Sequence, residues 1–323
     1  MPDSIDSLTL DPSTSPPADA PGGSPEASSP HKLSTAESAA ASSPAESPTE
    51  LPVTIIRPPS GWQLVNAREL WQYRELLFFL TWRDVKVRYK QTALGAAWAI
   101  LQPVMMMVVF TIFFGRMAHL PTGNLPYPVF VFAGLLPWTF FANAIANAGN
   151  SVVGSERLIT KIYFPRLAVP FAAVGAALVD FAIAFGVLLV MLAWYRIMPG
   201  IQILLVPLLV LLLTLAALGV GTLLAALNVA YRDCKYMIPF MVQLWMFATP
   251  TVYMEPFSGP GTRTKFILLA NPLASLIGTF RCAVVGRPIP WNHLALASAI
   301  ILGLFVAGCL YFRKVEDSFA DVI

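Results

Sequence analysis

The stretch that decides the fold runs from residue 149 to residue 170, GNSVVGSERLITKIYFPRLAVP. Long runs with almost no charge lie on either side of it. Within it stand Glu156, Arg157, Lys161 and Arg166, with Pro165 and Pro170 beside them. Hydrocarbon cannot host such a segment, because its charges and interrupted backbone need water or protein partners. It is therefore expected to be a loop between two spans. A short loop rich in Lys and Arg belongs on the cytoplasmic face. Two readings of it stand: a plain connector that obeys the positive-inside rule, or a contact surface for a soluble partner that drives the membrane part.

Composition widens the argument from that loop to the class. Hydrophobic residues make up 56% of the 323 and charged residues only 12%, with a mean hydropathy of +0.66. Soluble domains carry about 25% charge, so an all-α membrane protein of several spans is expected. Residues 1–60 differ: they are rich in Ser, Pro and Ala, and Lys32 is the only base before Arg57 against eight acids. Such a stretch cannot bury enough apolar surface to offset its ordering entropy and is expected to be disordered. It lacks the apolar core of a signal peptide, so no cleavage is expected. Residues 1–56 sum to −7, which leaves +10 on the rest to reach the chain's +3.

Residues 61–92 form the next segment. At about 100° per residue, Phe78, Trp82, Val85 and Tyr89 share a narrow stripe, with Arg83, Lys86 and Lys90 on a second stripe beside it. Aromatics next to cations predict a helix lying in the membrane interface, its cations on anionic headgroups. Spans are expected at about 95–115, 127–148, 170–194, 203–229, 236–254 and 291–312. With both termini cytoplasmic, thirteen Lys and Arg fall inside and six outside, which favours an even number of spans. Residues 265–285 are apolar enough to suggest a seventh. Asn271-Pro272 breaks that segment and Arg281 lies in it, so short helices that dip into the outer leaflet and return are expected.

Several polar residues sit inside the spans. Thr139, Asn143, Asn147 and Asn150 fall within about 80° of one another on the second span, either lining a path or bonding neighbouring helices. Trp138, Phe140 and Phe141 adjoin them and could stack on sugar faces or simply pack. Asp180 is the only acid within an expected span. A proton relay needs a chain of such groups, so a structural Asp bonded to a neighbouring helix is expected. His31, His119 and His293 make no metal pattern, and Cys234, Cys282 and Cys309 are too differently placed for an internal disulfide. No catalytic constellation, cofactor, metal site or nucleic-acid contact is expected.

Five stretches carry a family resemblance: WRDVKVRYKQTALGAAWAILQP (82–103), ERLITKIYFPRLAVP (156–170), ALNVAYRDCKYMIPFMVQLWMF (226–247), NPLASLIGTFRCAV (271–284) and YFRKVEDSFADVI (311–323). The chain from about residue 70 resembles the membrane subunit of type-2 ABC exporters that carry lipid-linked polysaccharides such as O-antigen, capsule or teichoic acid across the bacterial inner membrane. The resemblance implies six spans per subunit within a transmembrane domain at 82–315, a homodimer, and residues 316–323 in the cytoplasm. It implies an interfacial gate helix at 68–92 and short outer-face helices before the last span. It also implies a coupling helix at about 150–164, with Glu156, Arg157, Leu158, Ile159, Lys161 and Ile162, docked on a separate ATP-binding subunit. The chain itself has no GxxxxGK[ST] loop to hold nucleotide. Thr139, Asn143, Asn147 and Asn150, with Trp138 and Phe140, become candidate pore-lining residues for a glycan. The rivals are a type-2 permease for a drug or other lipid, a proton-coupled transporter needing more intramembrane charge than Asp180 supplies, and a membrane enzyme needing clustered acids or histidines.

Overall fold

The computed structural model describes residues 71–90, 97–117, 125–249, 271–316 and 319. The expected tail at 1–60, residues 61–70 and 91–92 of the interfacial segment, the first part of the outer segment after the fifth span (255–270) and most of the expected C-terminus at 316–323 lie outside the described residues. The described chain is helical: α1 (Arg74–Lys90), α2 (Ala97–Phe110) with a π-helical continuation Thr111–Met117, α3 (Tyr127–Gly154), α4 (Glu156–Lys161), α5 (Ala168–Trp194), a 3₁₀ turn Ile201–Leu205 leading into α6 (Val206–Ala230), α7 (Cys234–Ala248), α8 (Pro272–Val285) and α9 (Trp291–Glu316). Five are long and apolar enough to cross a bilayer: α2 with its continuation, α3, α5, α6 with its lead-in turn, and α9. The expected span at 236–254 is α7, and beyond Thr249 it lies outside the described residues.

α3 is the axis of the bundle. In its most apolar window 78% of residues are buried, against 6% for α2, so α2 leans on the bundle while α3 runs through it. α3 packs along α5 and α6, α9 packs on α6, and α1 lies along α5. Lipid tails are as apolar as leucine, so close backbone contact must hold such helices together. Glycine provides it. A Cβ on Gly308 would stand 2.1 Å from the carbonyl oxygen of Gly219, and one on Gly219 would stand 2.7 Å from the Phe305 backbone. On the other side of α6, a Cβ on Gly221 would meet Ala148 at 2.7 Å.

α3 continues to Gly154 rather than ending at 148. Its polar residues complete the helix instead of interrupting it: the Asn150 amide donates to the Ala146 carbonyl at 2.8 Å and the Ser151 hydroxyl to Ala148 at 2.7 Å. The break falls at Ser155, and the coupling helix expected at 150–164 contracts to α4.

α8 is short for reasons written at both ends. The Asn271 side chain accepts from the Leu273 backbone N–H at 3.2 Å and donates to Thr249 Oγ1 at 2.8 Å, capping α8 and tying it to the end of α7. Gly286, at φ 79°, ends it in the left-handed conformation that glycine adopts without strain. At ~1.5 Å per residue its 14 residues reach about 21 Å, short of the ~30 Å of hydrocarbon. It is buried between α3 and α9, and no seventh span arises from it. Arg281 is accommodated there with its guanidinium 3.9 Å above the centre of the Phe130 ring, a contact favoured where water is scarce.

Enlarging Gly308 tests the α6–α9 contact. Gly308→Ala should lower stability by about 1–3 kcal/mol, seen as a lower midpoint in thermal unfolding of the detergent-solubilised protein. Gly303→Ala on the same helix, with open space around it, should leave the midpoint unchanged.

Candidate functional site

Four helices enclose a cavity of about 380 Å³, within the ~300–1,000 Å³ range of small-molecule sites. The end of α1 supplies Arg88 and Tyr89, α2 supplies Trp98 and Gln102, α3 supplies Thr139, Phe140, Asn143 and Asn147, and α5 supplies Asp180 and Phe181. Asp180 organises one wall. Arg88 forms an ion pair with its carboxylate, and the Tyr89 hydroxyl donates to its other oxygen. The expected structural Asp bonded to a neighbouring helix is what the fold contains, and its neighbour is the interfacial helix. Burial, reinforced by the hydrogen bond to the Asp180 carboxylate, pushes the Tyr89 hydroxyl up to about 12. Tyr89 thus stays a donor at neutral pH.

The opposite wall is polar and uncommitted. Thr139 donates to the Leu136 carbonyl at 3.0 Å, as a hydroxyl in a helix commonly does. The side-chain amides of Gln102, Asn143 and Asn147 make no hydrogen bond to any described residue, although all three face the cavity.

The polar stripe on α3 therefore divides. Asn143 and Asn147 reach the cavity, whereas Asn150 lies beyond it, where α6 crosses. There the Asn228 amide, itself buried, donates to the Gly149 carbonyl at 2.9 Å and to the Asn150 side-chain oxygen at 3.1 Å. Asn150 joins two helices. Trp138 is also outside the cavity, packed against Phe141 with ring centroids 6.2 Å apart. Helical angle places Asn150 with the others and adjacency in sequence places Trp138 there; the neighbours they meet, Asn228 and Phe141, separate them.

The interfacial helix also presents its residues differently from the expected pattern. Leu80 is buried, at 2% exposure, and Thr81 lies against α5, filling the space beside Gly175. Of the aromatic stripe, Phe78 and Trp82 are 71% and 58% exposed, as suits rings set in a membrane interface. Val85 is half-buried, and Tyr89 alone of the stripe lines the cavity. Lys86 and Lys90 are exposed, and Arg83 pairs with Asp84 at 2.9 Å. Sequence reasoning passed over Arg88. Its signal was available: an acid inside a span demands a cation, and Arg88 lies one turn beyond Asp84 on the face of α1 that carries Leu77, Thr81 and Asp84.

At the α4 end of the bundle, Ile159 and Phe164 are buried with Val152 of α3, Val229 of α6 and Phe312 of α9, and Tyr73, Leu76 and Leu77 pack onto the same cluster. Ile159 was expected to face a partner. It instead anchors α4 to its own chain, because residues 156–161 form little more than one turn and their apolar side has the cluster beneath it. Leu158 is half-buried in the same direction. The surface left outward carries Glu156, Arg157, Lys161, Ile162 and the 79% exposed Tyr163.

The clamp can be tested by a double-mutant cycle. Arg88→Met and Asp180→Asn should each destabilise more than half as much as the two together, with a coupling energy of about 0.5–3 kcal/mol, read from thermal midpoints. Removing one partner strands the other's charge or hydrogen-bonding groups in a part-buried wall.

Comparison with known proteins places this architecture. The sequence profile described as ABC-2 type transporter matches residues 75–284, which contain α1 from its second residue through most of α8. The O-antigen export system permease protein RfbA of Myxococcus xanthus is 30% identical over 260 residues, covering 80% of this chain and 98% of that protein. A protein of the same name from Klebsiella pneumoniae is 26% identical over 250 residues, 77% of this chain and 95% of the relative. The polysialic acid transport protein KpsM of Escherichia coli is 24% identical over 246 residues, 72% and 91% of the two chains. With its profile match spanning most of the helical bundle and a relative aligned over nearly its whole length, the chain belongs to the ABC-2 type transporter family.

Proposed function

We propose that this protein is the permease subunit of an ATP-driven ABC exporter that moves a lipid-linked polysaccharide outward across the bacterial inner membrane. The observation that carries this reading is the alignment over 98% of the length of an O-antigen export permease; the multi-pass helical fold is consistent with it. Hydrolysis belongs to a separate ATP-binding subunit, and the membrane part acts as a homodimer. The partner docks on the outward surface of α4, where Glu156, Arg157 and Lys161 set orientation and Ile162 and Tyr163 supply apolar contact. Force applied there reaches α1, α3, α6 and α9 through the cluster around Ile159. The exposed Phe78 and Trp82 of α1 lie against lipid, which puts the Tyr89 end of that helix where a lipid-linked substrate could approach the cavity. Both termini and α4 face the cytoplasm, and α8 faces the outside.

Two measurements test this. In a background without Cys234, Cys282 and Cys309, a cysteine at position 161 should resist a membrane-impermeant thiol reagent in intact spheroplasts, and one at 287 should react; the opposite pattern reverses the orientation. Glu156→Lys combined with Arg157→Glu should insert normally yet lose co-purification of the ATPase and glycan export, since a mispaired interfacial charge costs several kcal/mol. Tyr163→Ala should weaken docking with the thermal midpoint unchanged, whereas Ile159→Ala should lower that midpoint. Normal export and co-purification by the charge-reversed protein would reduce α4 to a connector.

A further inference from the structure

The charges that line the cavity cancel. Arg88 and Asp180 are paired with each other across the α1–α5 contact, and the Tyr89 hydroxyl is engaged by the same carboxylate. An anion entering the cavity would meet the Asp180 carboxylate and, among the described lining residues, no cation that is not already paired, and a desolvated anion without a partner is strongly disfavoured. The groups left uncommitted are neutral: the amides of Gln102 on one side and of Asn143 and Asn147 on the other, each with a carbonyl oxygen and two N–H donors. The Trp98 ring, about half exposed, lines the same cavity and offers a flat apolar face. Paired donors and acceptors around an aromatic face suit the alternating hydroxyls and C–H groups of a sugar ring, and they do not suit a phosphate.

We infer that the cavity between α1, α2, α3 and α5 is a binding site for an uncharged, hydroxyl-rich ligand, namely one or two neutral sugar units, and that it excludes phosphate. The ligand chemistry stands on the cavity; its source as a unit of an exported polysaccharide rests on the reading proposed above. Asp180 has a second consequence here. By engaging Arg88 it neutralises the one cation among the described lining residues that could hold a phosphate.

The test uses the full-length protein in lipid nanodiscs and follows tryptophan emission during titration. The probes are a set of neutral hexose and deoxyhexose trisaccharides, a hexose 1-phosphate and inorganic phosphate. At least one neutral trisaccharide should shift the emission saturably, and the shift should vanish in Trp98→Phe. Neither phosphate compound should compete with it. Asn143→Leu with Asn147→Leu should weaken sugar binding at least tenfold. Gln102→Leu, on the loosely packed α2, should weaken it without disturbing the core and serves if the double variant does not fold. Asp180→Asn should make inorganic phosphate a competitor. Displacement of sugar by phosphate from the unaltered protein, absence of binding by every neutral sugar, or unchanged affinity in the leucine variants would each overturn the inference. Export in cells separates the two readings. A protein that exports glycan while its cavity binds no sugar overturns this inference alone; one that binds sugar but exports none overturns the exporter reading alone. A free sugar and a unit of a lipid-linked chain present the same hydroxyls, and only the second source predicts that the leucine variants also lose export.

Discussion

Helices in a bilayer gain nothing from leaving the apolar phase, so the bundle depends on how closely their backbones can approach. α6 is where that approach is closest. Gly219 meets Gly308 and Phe305 of α9 on one side, and Gly221 meets Ala148 of α3 on the other. Thr222 fits the same crossing by turning its hydroxyl back to the Leu218 and Gly219 carbonyls, so a polar residue sits fully buried at no cost in unmet hydrogen bonds. With α6 clasped between α3 and α9, α3 becomes the axis, and everything else is positioned by which face of α3 or α6 remains. α5 and α8 complete the core, and α2 is left on the margin.

The ion pair of Arg88 with Asp180 is the second constraint. A carboxylate in the interior of a bundle needs a partner, and removing either member of a part-buried pair leaves the other exposed to the full cost of desolvation. Here that requirement ties a helix read as interfacial to the middle of a spanning one. At ~1.5 Å per residue, Asp180 lies about 18 Å from the start of α5, so the end of α1 is drawn well in from the α4 end of the bundle. The cavity follows from this, since α1 and α5 form one wall and leave the uncommitted amides of α2 and α3 facing it.

α4 shows how a short element is held in place by its neighbours. Its six residues cannot fold alone, yet Ile159 and Phe164 seat it in a cluster that reaches α1, α3, α5, α6 and α9. The charged side of the same turn stays outward. One face of α4 is thus buried against five other helices, and the other is bare.

The class of the protein and the shortness of α8 were legible in the sequence, whereas the break expected after residue 148 falls at Ser155. Hydropathy, Pro, Gly and Asn act within a few residues of themselves: 12% charge announces a membrane protein, Asn271-Pro272 starts α8, and Gly286 ends it. The register of Thr139, Asn143, Asn147 and Asn150 on one face was legible too, because helical angle is a local property. What stood on the other side of each face was not. Asn150 follows the same angle as Asn143 and yet meets Asn228 of α6, while Asn143 meets open space. Ile159 looked like an anchor for a partner and is held by its own chain. Arg88 and Asp180 are 92 positions apart, and no periodicity connects them. Side-chain character and helix phase are set by neighbours in sequence; the partner across a helix face is set by rotation and crossing, which only the packed bundle decides.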